Sequence, residues 1–335
     1  MSNAAEPSKD LEANVLSLNE QLPEMCQGVV FGGSAQAPRF ELYHAGFSLC
    51  SNKVRCVLAE KEAPYISHAL RIGPVAGGLQ ENYLPDYVRL RLKGAPGGAF
   101  ATGYRGVSSV ETEGFDPAVV PTLVDHEKAR VLVDSLNICK YLDREVGEGP
   151  TLVPEGLEDV IDAQIALIDQ APHVALLYGA HPDADTRPEK LISNITGVHA
   201  KKIAGLQSVL DQLEDGSELI PAYRAKIEKE RAAATFIQNG QNMREVHAAF
   251  ADHVGALEAQ LGTHDGPWVL GDAYTLADIM WTVSLYRLAL LGLQRLWAEE
   301  SGSPRVAAYM QHAPDRPSFQ EAVVGWRAGA KPRDG

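Results

Sequence analysis

Apolar and polar positions alternate over residues 40–44 and again over 65–70, the period-two pattern of β-strands. Between them, residues 52–61 place Val54, Val57 and Leu58 at helical spacing. Ala63-Pro64 ends that helix, because proline disfavours helical backbone in the residue before it. The order so far is strand, helix, strand. A second helix is predicted over 83–92. Residues 94–114 are rich in glycine and serine with weak periodicity, and read as a long inserted loop. Two short β-type runs, 119–125 and 129–133, are joined by His126-Glu127-Lys128 and predict an antiparallel hairpin. Asp134-Ser135 then opens a helix with Ile138, Tyr141 and Leu142 on one side. The breaker cluster Gly147-Glu148-Gly149-Pro150 marks a domain boundary.

Beyond that boundary every periodic segment is helical: 157–168, 188–213, 222–236, 243–261, 276–291 and 304–312. Thr275-Leu276-Ala277-Asp278 is a capping box with Asp in place of the usual Glu, which predicts a helix start and assigns Asp278 to helix nucleation. Residues 1–39 read as a polar leader with a short helix around 11–22. The predicted organisation is a leader at 1–39, an α/β domain at 40–147 with an insertion near 94–114, and an all-helical domain at 151–327.

Composition narrows the class. The 335 residues carry 30 Lys plus Arg against 44 Asp plus Glu, a formal charge of −14. So acidic a chain repels phosphate backbones, and nucleic acid is not an expected partner. No apolar run of spanning length stands out, so no membrane partner is expected, and the first residues lack the pattern of a secretory signal. Cys26, Cys50, Cys56 and Cys139 are sparse and form no CxxC, which suits a reducing cytoplasm and leaves no metal-ligand spacing.

Three features of the α/β half carry candidate chemistry. Ser48-Leu49-Cys50-Ser51 stands between strand and helix, where free N–H groups and the helix dipole favour a thiolate. Lys53 and Arg55 add positive charge nearby. Val120-Pro121 opens a strand, where proline is tolerated because it has no ladder hydrogen to donate. Asp134-Ser135 caps the next helix and offers an anion-binding nest. Arg89, Arg91 and Lys93 read as a solvated helix face, and His44 as a structural histidine.

This order of motifs, followed by the all-helical half with Gly271-Asp272-Ala273-Tyr274 before the capping box, resembles the glutathione S-transferase superfamily. The resemblance implies a thioredoxin-like α/β domain followed by an all-α domain. It implies glutathione as co-substrate, with the Val120 backbone beside a cis Pro121 on the cysteinyl part, Asp134 and Ser135 on the γ-glutamyl end, and Ser48, Cys50 and Ser51 facing the sulfur. Ser-x-Cys-Ser is similar to the cysteine-bearing subgroup that includes maleylacetoacetate isomerases and the reductive dehalogenases of chlorinated hydroquinones. Phe40-Glu41-Leu42-Tyr43-His44, Glu81-Asn82-Tyr83, Gly114-Phe115-Asp116-Pro117 and Pro172-His173-Val174-Ala175 extend the likeness to those dehalogenases. The implied reaction is reductive dehalogenation of a halogenated hydroquinone through a glutathionyl conjugate and a Cys50 mixed disulfide. Isomerisation, ether cleavage and general conjugation use the same glutathione site, and a non-catalytic glutathione-binding protein is the reading of another class. The aromatic substrate is expected between the domains near Tyr43, Phe47, His173 and Tyr178. The resemblance further implies a homodimer, and no metal is expected.

Overall fold

The computed structural model describes residues 5–32, 37–73, 80–107, 109–298 and 302–326. Its first half is a five-stranded sheet in the order β1-β3-β2-β4-β5. The strands are β1 (Val29–Phe31), β2 (Phe40–His44), β3 (Tyr65–Ala69), β4 (Thr122–Asp125) and β5 (Arg130–Val133). β2 and β3 are parallel, and the other neighbouring pairs are antiparallel. Parallel neighbours need a crossover, and α2 (Leu49–Glu60) supplies it.

Every residue of β2 is buried, so both faces of the sheet are covered. Phe40, Leu42, Leu123 and Leu132 pack with α2 and α5 (Ser135–Glu145) in a core that continues into the helical half. Tyr43, Val124, Val131 and Val133 face the other way, onto α1 (Ala5–Gln21) and α3 (Pro85–Lys93). The leader is therefore part of the fold. Leu11, Val15, Leu18 and Leu22 recur at helical spacing and close the second face, and β1 adds an edge strand. Residues 1–4 and 33–36 of the leader, 74–79 and 108 of the α/β domain with its insertion, and 299–301 and 327 of the helical half lie outside the described residues.

Between α1 and the sheet lies a buried polar cluster. The Glu41 carboxylate accepts from Asn19 Nδ2 (2.7 Å), Tyr43 Oη (2.9 Å), His68 Nε2 (2.6 Å) and His126 Nε2 (2.7 Å). Burial alone would raise the Glu41 pKa, but these bonds outweigh it and hold the group far below the ordinary range.

The second helix starts later than its apolar pattern, because Pro85 takes the first helical position, where its missing N–H costs nothing. The insertion contains one helical turn, α4 (Val110–Glu113), and is tied down by Thr112 Oγ1 donating to Gln170 Oε1 (2.8 Å). At the interdomain connection, Asp143 accepts from the N–H groups of Leu152 (2.8 Å) and Val153 (3.0 Å). Gly149 has φ +69°, and a Cβ there would lie 2.1 Å from the Glu60 carbonyl oxygen, so only glycine fits.

The second half holds α6 (Glu158–Asp169), α7 (His173–Tyr178), α8 (Glu189–Ile195), α9 (Val198–Leu210), α10 (Ile220–Gln238), α11 (Gly240–Leu261), α12 (Leu276–Ala289) and α13 (Pro304–His312). The predicted helix over 188–213 is two helices, broken where Gly197 takes φ +69°. The stretch Glu158–Tyr178 has the length and mean hydropathy (1.2) to cross a membrane. It is broken between α6 and α7, and its Ile161, Ile165 and Ile168 lie in the core. α12, buried on nearly every side, is the central helix and packs on α2 and α6. Its capping box forms, with Asp278 accepting from Thr275 N (2.8 Å) and Val269 N (2.8 Å). α10 docks on the first half through Lys226 Nζ on Asp116 (2.7 Å) and Tyr223 Oη donating to the Tyr83 carbonyl (2.5 Å).

Candidate active site

Sheet register gathers the three motifs. Tyr43 pairs with Thr122, and Thr122 pairs with Val133. The chain leaving β2 toward Cys50, the chain entering β4 from Pro121 and the chain leaving β5 toward Asp134 therefore emerge side by side. Three neighbouring strands span roughly 10 Å, which is also the reach of an extended tripeptide.

At the first motif Ser48 is the N-cap of α2, and its Oγ accepts from Ser51 N at 3.3 Å. A hydroxyl that accepts one bond keeps its own hydrogen for donation. Cys50 is partly exposed in the first turn, and the other three cysteines are buried. Ser51 differs from its predicted place. It is fully buried, and its Oγ accepts from Ala45 N at 3.2 Å, so it supports the turn beneath the thiol. Arg55 likewise serves the turn and not the sulfur, since its donors reach Ala45, Gly46, His44, Asn52 and Ala322.

At the second motif the Val120–Pro121 peptide bond is cis. The flanking carbonyls are held from α3. Tyr87 Oη donates to Val119 O (2.7 Å), and Arg91 Nη1 donates to Pro121 O (2.7 Å). Arg91 is 3% exposed, so it is no solvated residue. A helix-face reading fails there because the arginine reaches inward to carbonyls of a turn 30 residues away.

At the third motif Asp134 takes φ +70° and caps α5, its Oδ1 accepting from Asn137 N at 3.0 Å. Burial pushes its carboxyl above the ordinary aspartate value, and the charge of Asp169 on α6 adds to that. Ser135, the first helical residue, is buried beside it.

From the helical half, Arg287 of α12 reaches this end of the sheet. Its guanidinium carbon lies 4.1 Å from the Phe47 ring centroid, and its Nη2 donates to the Phe47 carbonyl. Phe47 is 43% exposed. His173 at the start of α7 is buried, edge-on to Phe250 (5.6 Å), with no hydrogen-bond partner for either ring nitrogen among the described residues. Burial, then the charges of Lys53 and Arg287, push its pKa well below the ordinary histidine value.

The other two aromatic candidates are not brought together with these. Tyr43 is fully buried on the opposite face of the sheet, stacked on His68 with its hydroxyl on Asn19 and Glu41. Period two decides this: His44 and Leu42 face α2, so Tyr43 must face α1. Tyr178 lies beneath Lys202 (4.6 Å) and edge-on to His199 (5.3 Å). There it lines a cavity of about 250 Å³ among α8, α9 and α10. His44 is structural, its ring nitrogens engaged by Arg55 (2.9 Å) and Ser67 (2.8 Å). Arg287 is the residue that sequence reasoning missed, since a single arginine near the end of an apolar helix carries no signal of what it will meet.

Comparison with known proteins adds to this geometry. Residues 47–145 match the family described as "Glutathione S-transferase, N-terminal domain", and residues 230–312 match its C-terminal domain. The chain is 44% identical over 291 residues to the 2,5-dichlorohydroquinone reductive dechlorinase of Sphingobium indicum, covering 86% of this chain and 83% of that protein. It is 29% identical over 300 residues to the tetrachloro-p-hydroquinone reductive dehalogenase of Sphingobium chlorophenolicum, covering 87% of this chain and 99% of that one. Among solved structures, the beta-etherase of Sphingobium sp. strain SYK-6 superposes with a TM-score of 0.55 at 17% identity over 85% of this chain and 98% of the other. With its thioredoxin-like sheet, cis Val120–Pro121 bond and helical second half, the chain belongs to the glutathione S-transferase family.

Proposed function

We propose that this protein is a glutathione-dependent reductive dehalogenase of halogenated hydroquinones. The observation that carries the reading is the 44% identity to a 2,5-dichlorohydroquinone reductive dechlorinase across 86% of the chain. In this reading glutathione lies across the three strand ends. The backbone of Val120 holds its cysteinyl part, and Asp134 and Ser135 hold the ammonium and carboxylate of its γ-glutamyl end. Ser48 donates its hydroxyl hydrogen to the glutathione sulfur. The aromatic ring enters between Phe47 and His173.

The chemistry then runs in three displacements. The glutathione thiolate forms a carbon–sulfur bond with the tautomerised hydroquinone and expels halide. The Cys50 thiolate attacks the sulfur of that conjugate, which breaks the carbon–sulfur bond. The ring leaves with the electron pair, takes a proton, and Cys50 is left as a mixed disulfide with glutathione. A second glutathione thiolate attacks the disulfide, frees Cys50 and departs as oxidised glutathione. The ring gains two electrons and loses halide, and two thiols become one disulfide. A monothiol suits this cycle because the other three cysteines are buried, leaving resolution to an external thiol. The reading extends to a cytoplasmic homodimer.

Incubation of the enzyme and glutathione with 2,5-dichlorohydroquinone, maleylacetone and a chloronitrobenzene in parallel tests it. Chloride release with oxidised glutathione from the first alone is expected. Isomerised maleylacetone, or a stable conjugate as the only product, would replace the reading.

A further inference from the structure

The turn that presents Cys50 is held at each of its carbonyls. Ala45 O accepts from Ser48 N (3.1 Å) and Arg55 Nη1 (3.2 Å). Gly46 O accepts from Arg55 Nη2 (3.2 Å), Phe47 O from Arg287, and Ser48 O from Asn52 N (2.9 Å). A turn carrying a nucleophile needs fewer bonds than this merely to exist, and two of the donors are arginines from outside it.

Arg55 is 1% exposed, and its remaining bonds explain how a buried guanidinium is kept there. Its Nε donates to the Ala322 carbonyl (2.9 Å), Nη1 to His44 Nδ1 (2.9 Å) and Nη2 to Asn52 Oδ1 (2.5 Å). With the two turn carbonyls, all five guanidinium hydrogens are used. Ala322 belongs to the C-terminal segment, which docks on α2 through Arg316 Nη2 on Glu60 Oε2 (2.6 Å). Four residues on, Trp326 covers the guanidinium, 4.6 Å from ring centroid to carbon. The Trp326 ring also meets His44 (4.9 Å) and Phe31 (4.8 Å). It comes so near the turn that a Cβ on Gly46 would lie 3.0 Å from it. The segment thus reaches from the far end of the chain to the backbone beside Phe47 and Ser48.

We propose that Arg55 is a positioning residue for Cys50, and that the C-terminal segment, through Trp326 and the Ala322 carbonyl, is the strap that keeps Arg55 on the turn. The guanidinium fixes where α2 begins relative to β2, and so where Ser48 and Cys50 point. The aromatic face supplies a cation–π contact that excludes water from the charge. Loss of the strap lets the arginine hydrate and the turn relax. A displacement of about 1 Å at a reacting group costs up to roughly 100-fold in rate.

The proposal rests on the dehalogenase reading for its kinetic part, so the test has one arm independent of it. Trp326→Leu and Trp326→Phe are compared with wild type for the rate of Cys50 alkylation by iodoacetamide across pH, read by peptide mass, and for glutathione-dependent chloride release from 2,5-dichlorohydroquinone. With Trp326→Leu, the alkylation profile is expected to change by about 3-fold or more and kcat to fall about 10-fold with KM nearly unchanged. Trp326→Phe, which keeps an aromatic face, is expected to restore both to within about 2-fold. A folded Trp326→Leu with wild-type profile and kcat overturns the proposal. So does a Trp326→Phe as impaired as Trp326→Leu, which would mean that only volume matters. If Trp326→Leu does not fold, Arg55→Lys carries the same two readouts, and wild-type behaviour there overturns it equally. Absence of chloride release from wild type would remove the dehalogenase reading, while the alkylation arm still decides the strap.

Discussion

Two helix starts face the same end of the sheet, each with a local cap, and differ in what else holds them. The α5 start is self-sufficient, because Asp134 caps its own helix and Ser135 follows in sequence. The α2 start has a local cap in Ser48, but its turn is fastened further by Arg55, which is itself held by the Ala322 carbonyl of the C-terminal segment, and by Arg287 of α12. The difference matches what each is proposed to do. A site that binds the end of a peptide needs N–H groups and a carboxylate, which local capping supplies. A site that must bring one sulfur onto another needs its position fixed to a fraction of an ångström, which takes donors from other parts of the molecule.

The sharpest break in the comparison is Cys50→Ser. Release of dechlorinated product is expected to fall by at least about 100-fold while the glutathionyl conjugate accumulates, because a hydroxyl cannot attack sulfur as a thiolate does. Mass analysis of the products reads this directly, and free product at the wild-type rate would remove the mixed-disulfide step. Ser48→Ala comes next. It removes both a donor to the glutathione sulfur and an N-cap worth about 1 kcal/mol. A loss of roughly 10-fold or more in kcat is expected, with a Tm lowered by a few degrees at about that cost in stability. Ser135→Ala, at the other helix start, is expected to raise the KM for glutathione about 10-fold with kcat nearly unchanged. Equal effects on kcat at both positions would erase the distinction between the two starts.

Smaller effects follow from charge. Asp134 is raised by burial, with Asp169 adding, so its ionised form is lost at a higher pH than that of an ordinary aspartate. The KM for glutathione is therefore expected to climb on acidification before the usual aspartate range is reached, and Asp134→Asn should flatten that rise. Stability responds differently. Glu41 is buried, but its bonds from His126, His68 and Asn19 depress its pKa in the folded state. Its contribution is present above the unfolded value of about 4.5 and is lost as pH falls toward the folded value. Asp116, buried against Lys226 and Lys229, has the same sign. Denaturant melts at stepped pH should show stability dropping below about 4.5, and Glu41→Gln should blunt that drop.

Much of this was legible along the chain, wherever one residue type answers one local need. Pro121 could stand only at a strand start, Asp134-Ser135 opened a helix, Thr275 and Asp278 capped another, and a lone thiol stood where strand becomes helix. Period-two and helical patterns placed all five strands but β1, which is short and exposed and so lacks an alternating apolar face.

What the sequence left open was decided by partners remote in the chain. The alternation in β2 separates Tyr43 from His44, but does not say which side holds the active site. The leader helix, with Asn19 bonded to Tyr43 24 residues on, settles that. Arg55 is one more basic residue on a helix until Ala322, 267 positions away, takes its Nε hydrogen. Arg287 is silent until the fold sets it on Phe47, 240 positions back. Local preferences act through neighbours a few residues apart and are written in residue order. The partners of a buried charge are chosen by whichever carbonyls packing brings within hydrogen-bond reach, and only the assembled tertiary structure decides those.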